Sequence, residues 1–211
     1  MNKNNAIAIG LVSSFLGINF LLNAAPVLAH HPSGGSIPST WLEGFLSGIG
    51  HPVIGIDHLV FALAIGLLAA LSNRLGFVIP TAFTIATVMG TAIHLQGIDL
   101  PTPELMIAAS VLVVGTFLAR ENSTSPILLA LLSAVAGIFH GYAYGESIVG
   151  AETTALGAYL FGFSAIQLCI SAIAFYFGRQ ILARPSRPAL LLRFAGFTVC
   201  GIGFALLSNF V

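Results

Sequence analysis

The sequence predicts an all-α integral membrane protein, a bundle of six transmembrane helices after an N-terminal signal peptide. Hydrophobic residues make up 57% of the 211 residues and charged residues only 7%, far below the share of about 25% in soluble domains. The apolar residues form runs long enough to cross a bilayer, separated by short connections with turn residues. Acidic and basic residues are equal in number, so nothing indicates a nucleic-acid partner.

The first 29 residues have the pattern of a secretory signal peptide. Lys3 precedes an apolar run from Ala6 to Leu22, and Val27-Leu28-Ala29 offers the residues that a signal peptidase accepts. The apolar run is slightly long, so the alternative interpretation is an uncleaved first transmembrane helix. In both interpretations the segment after Ala29 is delivered to the outer side of the membrane.

Residues 30–51 are predicted to form an outward-facing linker and an interfacial helix. The stretch from His31 to Pro38 is rich in Pro, Gly and Ser, a composition typical of linkers. Thr40-Trp41-Leu42-Glu43 has the pattern of a capping box, which opens a helix through about Ser47 with Trp41 at headgroup level. We interpret Glu43 as a helix cap.

Six apolar windows of about 20 residues follow the linker and are predicted to cross the membrane. They run over residues 52–72, 76–95, 104–119, 126–144, 153–178 and 189–209. Because the connections between them are short, neighbours in sequence are expected to be antiparallel helices of one bundle.

The charged residues predict the orientation of this bundle. Alternate loops carry the arginines, which the positive-inside rule assigns to the cytoplasm: Arg74, Arg120, Arg179, Arg184 and Arg187. The other loops carry the acidic residues Asp99, Glu104, Glu146 and Glu152. We therefore expect a multi-pass protein of the bacterial cytoplasmic (inner) membrane, with its mature N-terminus outside.

Four histidines and an aspartate mark a candidate metal site. His51, Asp57 and His58 lie at the start of the first span, His94 ends the second, and His140 lies near the end of the fourth. The topology puts all of them in the outer half of the membrane, where unpaired polar groups are costly. Imidazole and carboxylate donors without thiolate suit nickel, cobalt or zinc. The outward-facing acidic residues would concentrate such a cation.

The spacing leaves the geometry of this site open. If the first span is helical from Pro52, His51 and His58 share a face but lie about 10 Å apart along the axis. One ion bound at about 2 Å from each nitrogen then requires a distorted helix start, which Gly55 permits. Alternatively, the two histidines bind in succession, or Asp57 orients a ligating histidine. Small residues at 137, 141 and 145 allow a neighbouring helix to approach closely.

Two stretches resemble the signatures of the HupE/UreJ family of nickel and cobalt permeases. Residues 51–66 match HPxxGxDHxxxxxxxG, and residues 139–147 are similar to FHGxAHGxE. The resemblance implies that residues 52–211 form a six-span permease domain and that His51, Asp57, His58 and His140 bind metal. This chain departs from the second signature: Tyr144 replaces its second histidine, while Glu146 comes one position early, with Ser147 in the place of the acid.

The predicted function is therefore secondary transport that imports nickel or cobalt through an intramembrane His/Asp site. The candidate metal-binding residues are His51, Asp57, His58, His140, His94 and Glu146. The expected partners are the cation and the lipid bilayer, with no cofactor beyond the transported ion. No GxxxxGK[ST] motif occurs, which argues against direct use of ATP. The alternatives are an intramembrane zinc hydrolase, with His58, His94 and His140 as ligands, and a membrane cytochrome with histidine axial ligands.

Overall fold

The computed structural model describes residues 37–72, 75–120, 124–183 and 188–210. All regular secondary structure in these residues is helical, and they contain no strand. The seven α-helices are α1 (Trp41–Ile54), α2 (Ile56–Leu71), α3 (Val78–Leu95), α4 (Pro103–Ala119), α5 (Pro126–Glu146), α6 (Thr153–Leu182) and α7 (Pro188–Leu207). The signal peptide and three loop arginines, Arg74, Arg184 and Arg187, fall outside the described residues.

Four of these helical segments are long and apolar enough to cross a membrane. They are α3, α5, α6 and the stretch Leu190–Phe210, which includes most of α7. The consecutive helices α1 and α2 meet the same criteria together but are bent by 78°, which gives up to five spans. Helix α4 is apolar and has 17 residues, or about 25 Å of helix. The described residues are thus all-helical with four long apolar segments, as a multi-pass membrane protein requires, while the count of six spans stays a prediction.

The start of the first span differs from the prediction. The capping box is present, because the Glu43 amide donates to the Thr40 hydroxyl at 3.2 Å and the Glu43 carboxylate accepts from the Thr40 amide. The helix that it opens, however, does not end near Ser47 but continues to Ile54 and includes His51. Proline is tolerated at position 52 because it removes only one hydrogen bond in the last turn of the helix. The break comes at Gly55, whose backbone is extended.

The helices pack in three main pairs rather than as a simple ring of sequence neighbours. Helix α3 lies along α5, α4 lies along α7, and α1 and α2 lie along α6. Glycines permit the close approaches; for example, a β-carbon on Gly141 would overlap the Thr87 carbonyl. Phe61, Phe83 and Leu118 belong to the buried core between the pairs. Large apolar side chains cover the outer surface, as expected where a helix faces lipid: Leu131, Phe161 and Phe204.

Two arginines cap helix ends at the side of the bundle that the charge pattern assigns to the cytoplasm. Arg179, near the end of α6, donates to the carbonyl of Ala70 in the last turn of α2 at 3.5 Å. Arg193, in the first turns of α7, donates to the carbonyl of Ala119 at the end of α4 at 3.1 Å. Basic side chains are favourable at helix C-termini, where carbonyls lack partners within the helix.

Candidate cation site

The bend at Gly55 brings His51 and His58 together. Their ring centroids are 5.5 Å apart, and both side chains are buried. The separation of about 10 Å expected for a straight helix therefore does not occur, and the alternative of a distorted helix start is the one adopted. A β-carbon on Gly55 would lie 2.6 Å from Cδ2 of His58, so this position has little room for a side chain.

His58 contacts His140 on α5 through their Nδ1 atoms, which are 2.7 Å apart. The other ring nitrogen of His140, Nε2, lies 3.0 Å from the Ser110 hydroxyl, which donates its proton to the Ile107 carbonyl at 2.7 Å. Ser110 therefore accepts from Nε2 of His140, so Nδ1 of His140 accepts from Nδ1 of His58. This network assigns the proton of His58 to Nδ1 and makes Nε2 its acceptor nitrogen.

A second network assigns the tautomer of His51 in the same way. Its Nδ1 lies 3.0 Å from the Ser147 hydroxyl and 3.3 Å from the Tyr159 hydroxyl. Tyr159 donates its only proton to the Tyr144 carbonyl at 2.8 Å, so its oxygen accepts from Nδ1 of His51. Nε2 is then the acceptor nitrogen of His51, as it is of His58, and an acceptor nitrogen is what a metal ion requires.

Asp57 supplies an oxygen donor next to these nitrogens. Its Oδ1 accepts from the His58 amide at 2.8 Å and lies 3.8 Å from Nε2 of His58. That separation is close to the distance between two ligands that each bind one ion at about 2 Å. The Asp57 side chain is 21% exposed, so the carboxylate has access to water while the imidazole is buried.

Tyr144 packs against both histidines. Its ring centroid lies 4.8 Å from that of His51 and 4.6 Å from that of His58, and the residue is fully buried. The hydroxyl has no hydrogen-bond partner among the described residues. An unsatisfied buried hydroxyl costs about 1–3 kcal/mol, so it marks a place where a further polar group fits.

The predicted site residues are only partly brought together. The four residues to which the resemblance gave metal-site roles meet at one place: His51, Asp57, His58 and His140. His94 instead packs its ring 4.4 Å from that of Tyr142, and its buried Nδ1 has no hydrogen-bond partner in the described part of the chain. Glu146 is exposed at the end of α5.

Four residues of the site were not among the candidates that the sequence analysis proposed: Tyr144, Ser147, Tyr159 and Ser110. For Tyr144 and Ser147 a signal existed, because they are the positions where the chain departs from the second signature. Tyr159 and Ser110 lie on other helices and in no motif. Only the packing of α6 and α4 against the site reveals them.

The described conformation does not form a closed coordination sphere. Within residues 37–72, 75–120, 124–183 and 188–210, no group of three or more His, Cys, Asp or Glu side chains is arranged to hold a metal ion. The donors come in pairs, such as His58 with Asp57.

Comparison with known proteins identifies the family of this chain. The family model described as "HupE / UreJ protein" matches residues 18–206. Protein HupE of Rhizobium leguminosarum bv. viciae is 29% identical over 185 residues, an alignment that covers 87% of this chain and 92% of that protein. No solved structure matches. Because the family model covers most of the sequence and both site motifs, the chain belongs to the HupE/UreJ family.

Proposed function

We propose that this protein is a secondary transporter that imports nickel or cobalt across the cytoplasmic membrane through a station formed by His51, Asp57 and His58. The observation that carries the proposal is the bend at Gly55, which gathers two buried imidazoles and a carboxylate within the apolar bundle. Membership of a family related to nickel and cobalt transport supports it.

The donor chemistry fits a divalent ion of intermediate softness. Both histidines have Nε2 as the acceptor nitrogen in the assigned tautomers, and Asp57 contributes an anionic oxygen. Two neutral imidazoles and one carboxylate leave a divalent ion with one positive charge and with open coordination positions. Such a set holds nickel or cobalt without enclosing it, and release is as necessary for transport as binding.

His140 has a supporting role in this proposal. Both of its ring nitrogens have hydrogen-bond partners, His58 on one side and Ser110 on the other. It therefore fixes the orientation and tautomer of His58, as the outer hydrogen-bond partners of metal-ligating histidines commonly do. Direct ligation by His140 would require this contact to open.

The outer end of α3 and α5 forms the proposed mouth of the path. Tyr142 donates to the exposed Asp99 carboxylate at 3.4 Å and packs its ring against His94. Asp99 would attract the cation, and His94 offers a buried nitrogen one step deeper. Glu146, exposed at the end of α5, adds negative charge on the same side.

The proposal includes six spans with the arginine ends in the cytoplasm. Helix α4 runs antiparallel to α7, since Gly203 approaches Leu112 in the middle of α4 and Gly196 approaches Ala119 at its end. An apolar helix of 17 residues that packs along a membrane-spanning partner would itself cross the membrane. Arg179 and Arg193 would then lie at the cytoplasmic face.

The hydrolase alternative requires His58, His94 and His140 to converge on one zinc ion. His58 and His140 are in contact, but the ring contact described for His94 is with Tyr142. No observation favours this alternative over transport.

The deciding experiment is uptake of labelled nickel and of labelled cobalt at limiting concentrations. Cells that express the protein should accumulate at least one of the ions faster than cells that lack it, and Asp57→Asn should remove most of the difference. Glu104→Gln is the matched control, because it removes an exposed carboxylate at the start of α4, outside both the station and the proposed mouth, and it should cost far less. Equal uptake of both ions with and without the protein would refute the transport proposal.

A further inference from the structure

Two of the helix pairs repeat the same contacts. In the pair of α1 and α6, two glycines four residues apart on α1 approach the backbone carbonyls of two residues four apart on α6. In the pair of α5 and α3, two glycines of α5 do the same to α3. The contacts are Gly44 with Ala155, Gly48 with Tyr159, Gly137 with Phe83, and Gly141 with Thr87.

The contacts in the opposite direction, from glycines of α6 and α3 to the backbones of α1 and α5, also repeat and involve the same backbone atoms. A β-carbon on Gly162 of α6 would face the carbonyl oxygen of Phe45 and lie 3.3 Å from the amide nitrogen of Ile49. A β-carbon on Gly90 of α3 would face the carbonyl oxygen of Ile138 and lie 2.9 Å from the amide nitrogen of Tyr142.

The residues in equivalent contacts differ in number by a constant amount. In these contacts each α1 residue corresponds to an α5 residue whose number is higher by 93, and each α3 residue corresponds to an α6 residue whose number is higher by 72. A stripe of small residues would explain close packing, but it would not make both offsets constant in the forward and the reverse contacts. The two pairs are therefore equivalent structures.

The third pair shows how the two halves are related. A β-carbon on Gly115 of α4 would approach the amide nitrogen of Cys200 in α7, and one on Gly196 of α7 would approach the amide nitrogen of Ala119 in α4. If Gly115 corresponds to Gly196 and Ala119 corresponds to Cys200, an exchange of the two helices turns each of these contacts into the other. Helices α4 and α7 are therefore each other's counterparts. They run antiparallel, and a two-fold axis that relates antiparallel helices must be perpendicular to them. The halves are thus inverted with respect to each other.

His51 and Tyr144 are counterparts too, because their numbers differ by the same 93. Their rings are in contact, with centroids 4.8 Å apart. A contact between two counterparts is mapped onto itself by the two-fold axis, so the axis passes through it. Gly48-Ile-Gly-His51 and Gly141-Tyr-Ala-Tyr144 are the two copies of this stretch.

We propose that the chain is an inverted repeat whose two-fold axis passes through the contact between His51 and Tyr144, and that Tyr144 lines the cation path for the second half as His51 does for the first. The role of Tyr144 rests on the proposed transport function; the repeat itself rests on the packing. The hydroxyl of Tyr144, which is fully buried and has no hydrogen-bond partner in the part of the chain that the structure describes, is the second observation that assigns it to the path. Substrate sites at the interface of inverted repeats are common in secondary transporters, where one half moves against the other.

The repeat is broken next to the axis. After His51 the first half bends at Gly55 and adds α2, whereas after Tyr144 the second half turns at Ser147 and enters α6. Asp57 and His58 therefore come from a helix that the second half lacks. The station combines one pair of equivalent positions with donors supplied by the first half alone.

An exchange of side chains across the axis tests the proposal. His51→Tyr alone should lower uptake at least tenfold, because a ligand is lost. The double variant His51→Tyr/Tyr144→His restores one imidazole and one phenol at equivalent backbone positions, and it should recover uptake severalfold over His51→Tyr. The matched control is His58→Tyr/Tyr144→His, which exchanges two residues in similar ring contact (4.6 Å) that are not counterparts, and it should show no recovery over His58→Tyr.

A second readout keeps the test independent of transport. The thermal midpoint and the yield of monodisperse protein in detergent should be closer to wild type in the His51/Tyr144 exchange than in either single variant, and this should not hold for the His58/Tyr144 exchange. If wild-type cells show no uptake, the transport proposal fails while this stability comparison still decides the repeat. Equal behaviour of the two exchanges in both readouts would overturn the proposal.

Discussion

His58 and His140 share a single proton between Nδ1 atoms that are 2.7 Å apart. The contact joins α2 to α5, and it continues through Ser110 to α4. Because each hydrogen bond of this network holds only one proton, the tautomer of His58 depends on His140 and Ser110, which lie outside the proposed station. The site is therefore sensitive to substitutions several ångströms from the proposed station.

Replacement of His58 by alanine should abolish uptake of nickel and cobalt. The substitution removes a donor nitrogen and leaves Nδ1 of His140 without its partner, a cost of about 1–3 kcal/mol that an intact bundle of seven helices should tolerate. Uptake and the amount of protein in the membrane fraction are measured together. Unimpaired uptake by the alanine variant would show that His58 is not a ligand.

Ser110→Ala should lower the apparent affinity for the ion while the maximal rate changes little. The loss of the hydroxyl removes the acceptor for Nε2 of His140, so the imidazole pair can adopt the other tautomer, and such losses typically cost 10- to 100-fold in metal affinity. Ser208→Ala is the matched control, because Ser208 makes the same bond to a carbonyl three residues earlier but is exposed. Uptake curves that coincide for the two variants would contradict the proposed network.

Gly55→Ala should impair uptake through steric contact with two side chains of the station. The backbone of Gly55 has φ −71° and ψ 105°, which alanine also adopts, so no backbone strain is expected. The added methyl group would meet Cδ2 of His58 at 2.6 Å and Oδ1 of Asp57 at 3.2 Å, which displaces both donors. Gly157→Ala serves as control, since a β-carbon there has no atom within 4 Å. We expect severalfold slower uptake for Gly55→Ala alone, with both variants present at wild-type amounts.

The sequence predicted the membrane class and the main histidine cluster because both follow from local patterns. Apolar windows predict helices directly, and the costly groups at positions 51, 57 and 58 lie in one motif. The course of the first helix was harder to predict: Pro52 suggested a helix start, while the capping box and the extended Gly55 make the helix run through it. Local signals of this kind compete, and only packing against α6 decides between them.

The inverted repeat was not visible in the sequence for a different physical reason. A close contact between two helix backbones requires a small residue on one side and only a backbone carbonyl on the other. Ala155 and Phe83, or Tyr159 and Thr87, meet that requirement equally well although they share no chemistry. Among the residues that make these contacts, only the glycines are identical in the two halves, and glycines are frequent throughout this chain.

Tyr159→Phe should reduce the affinity of the station for the cation, although the substitution replaces none of the proposed ligands. The hydroxyl of Tyr159 accepts from Nδ1 of His51 and donates to the carbonyl of Tyr144, so it holds the His51 proton on Nδ1 and connects α6 to α1 and α5. Phenylalanine preserves the ring and its contact with Phe163, which isolates the effect of the hydroxyl. Ser147 still contacts Nδ1 in the variant, so the tautomer should become mixed rather than inverted.

Two measurements together check the role of Tyr159. Uptake curves should show an apparent KM raised about 10-fold with little change in maximal rate, in line with the loss of outer hydrogen bonds at metal sites. Nitrogen-15 chemical shifts of the His51 ring should report Nδ1–H in the wild type and a mixture in Tyr159→Phe. Tyr176→Phe, on the exposed surface of the same helix, should leave both readouts unchanged. A His51 ring that keeps the Nδ1–H shift in Tyr159→Phe would show that Ser147 alone sets the tautomer, because the Ser147 hydroxyl is then the remaining acceptor at Nδ1.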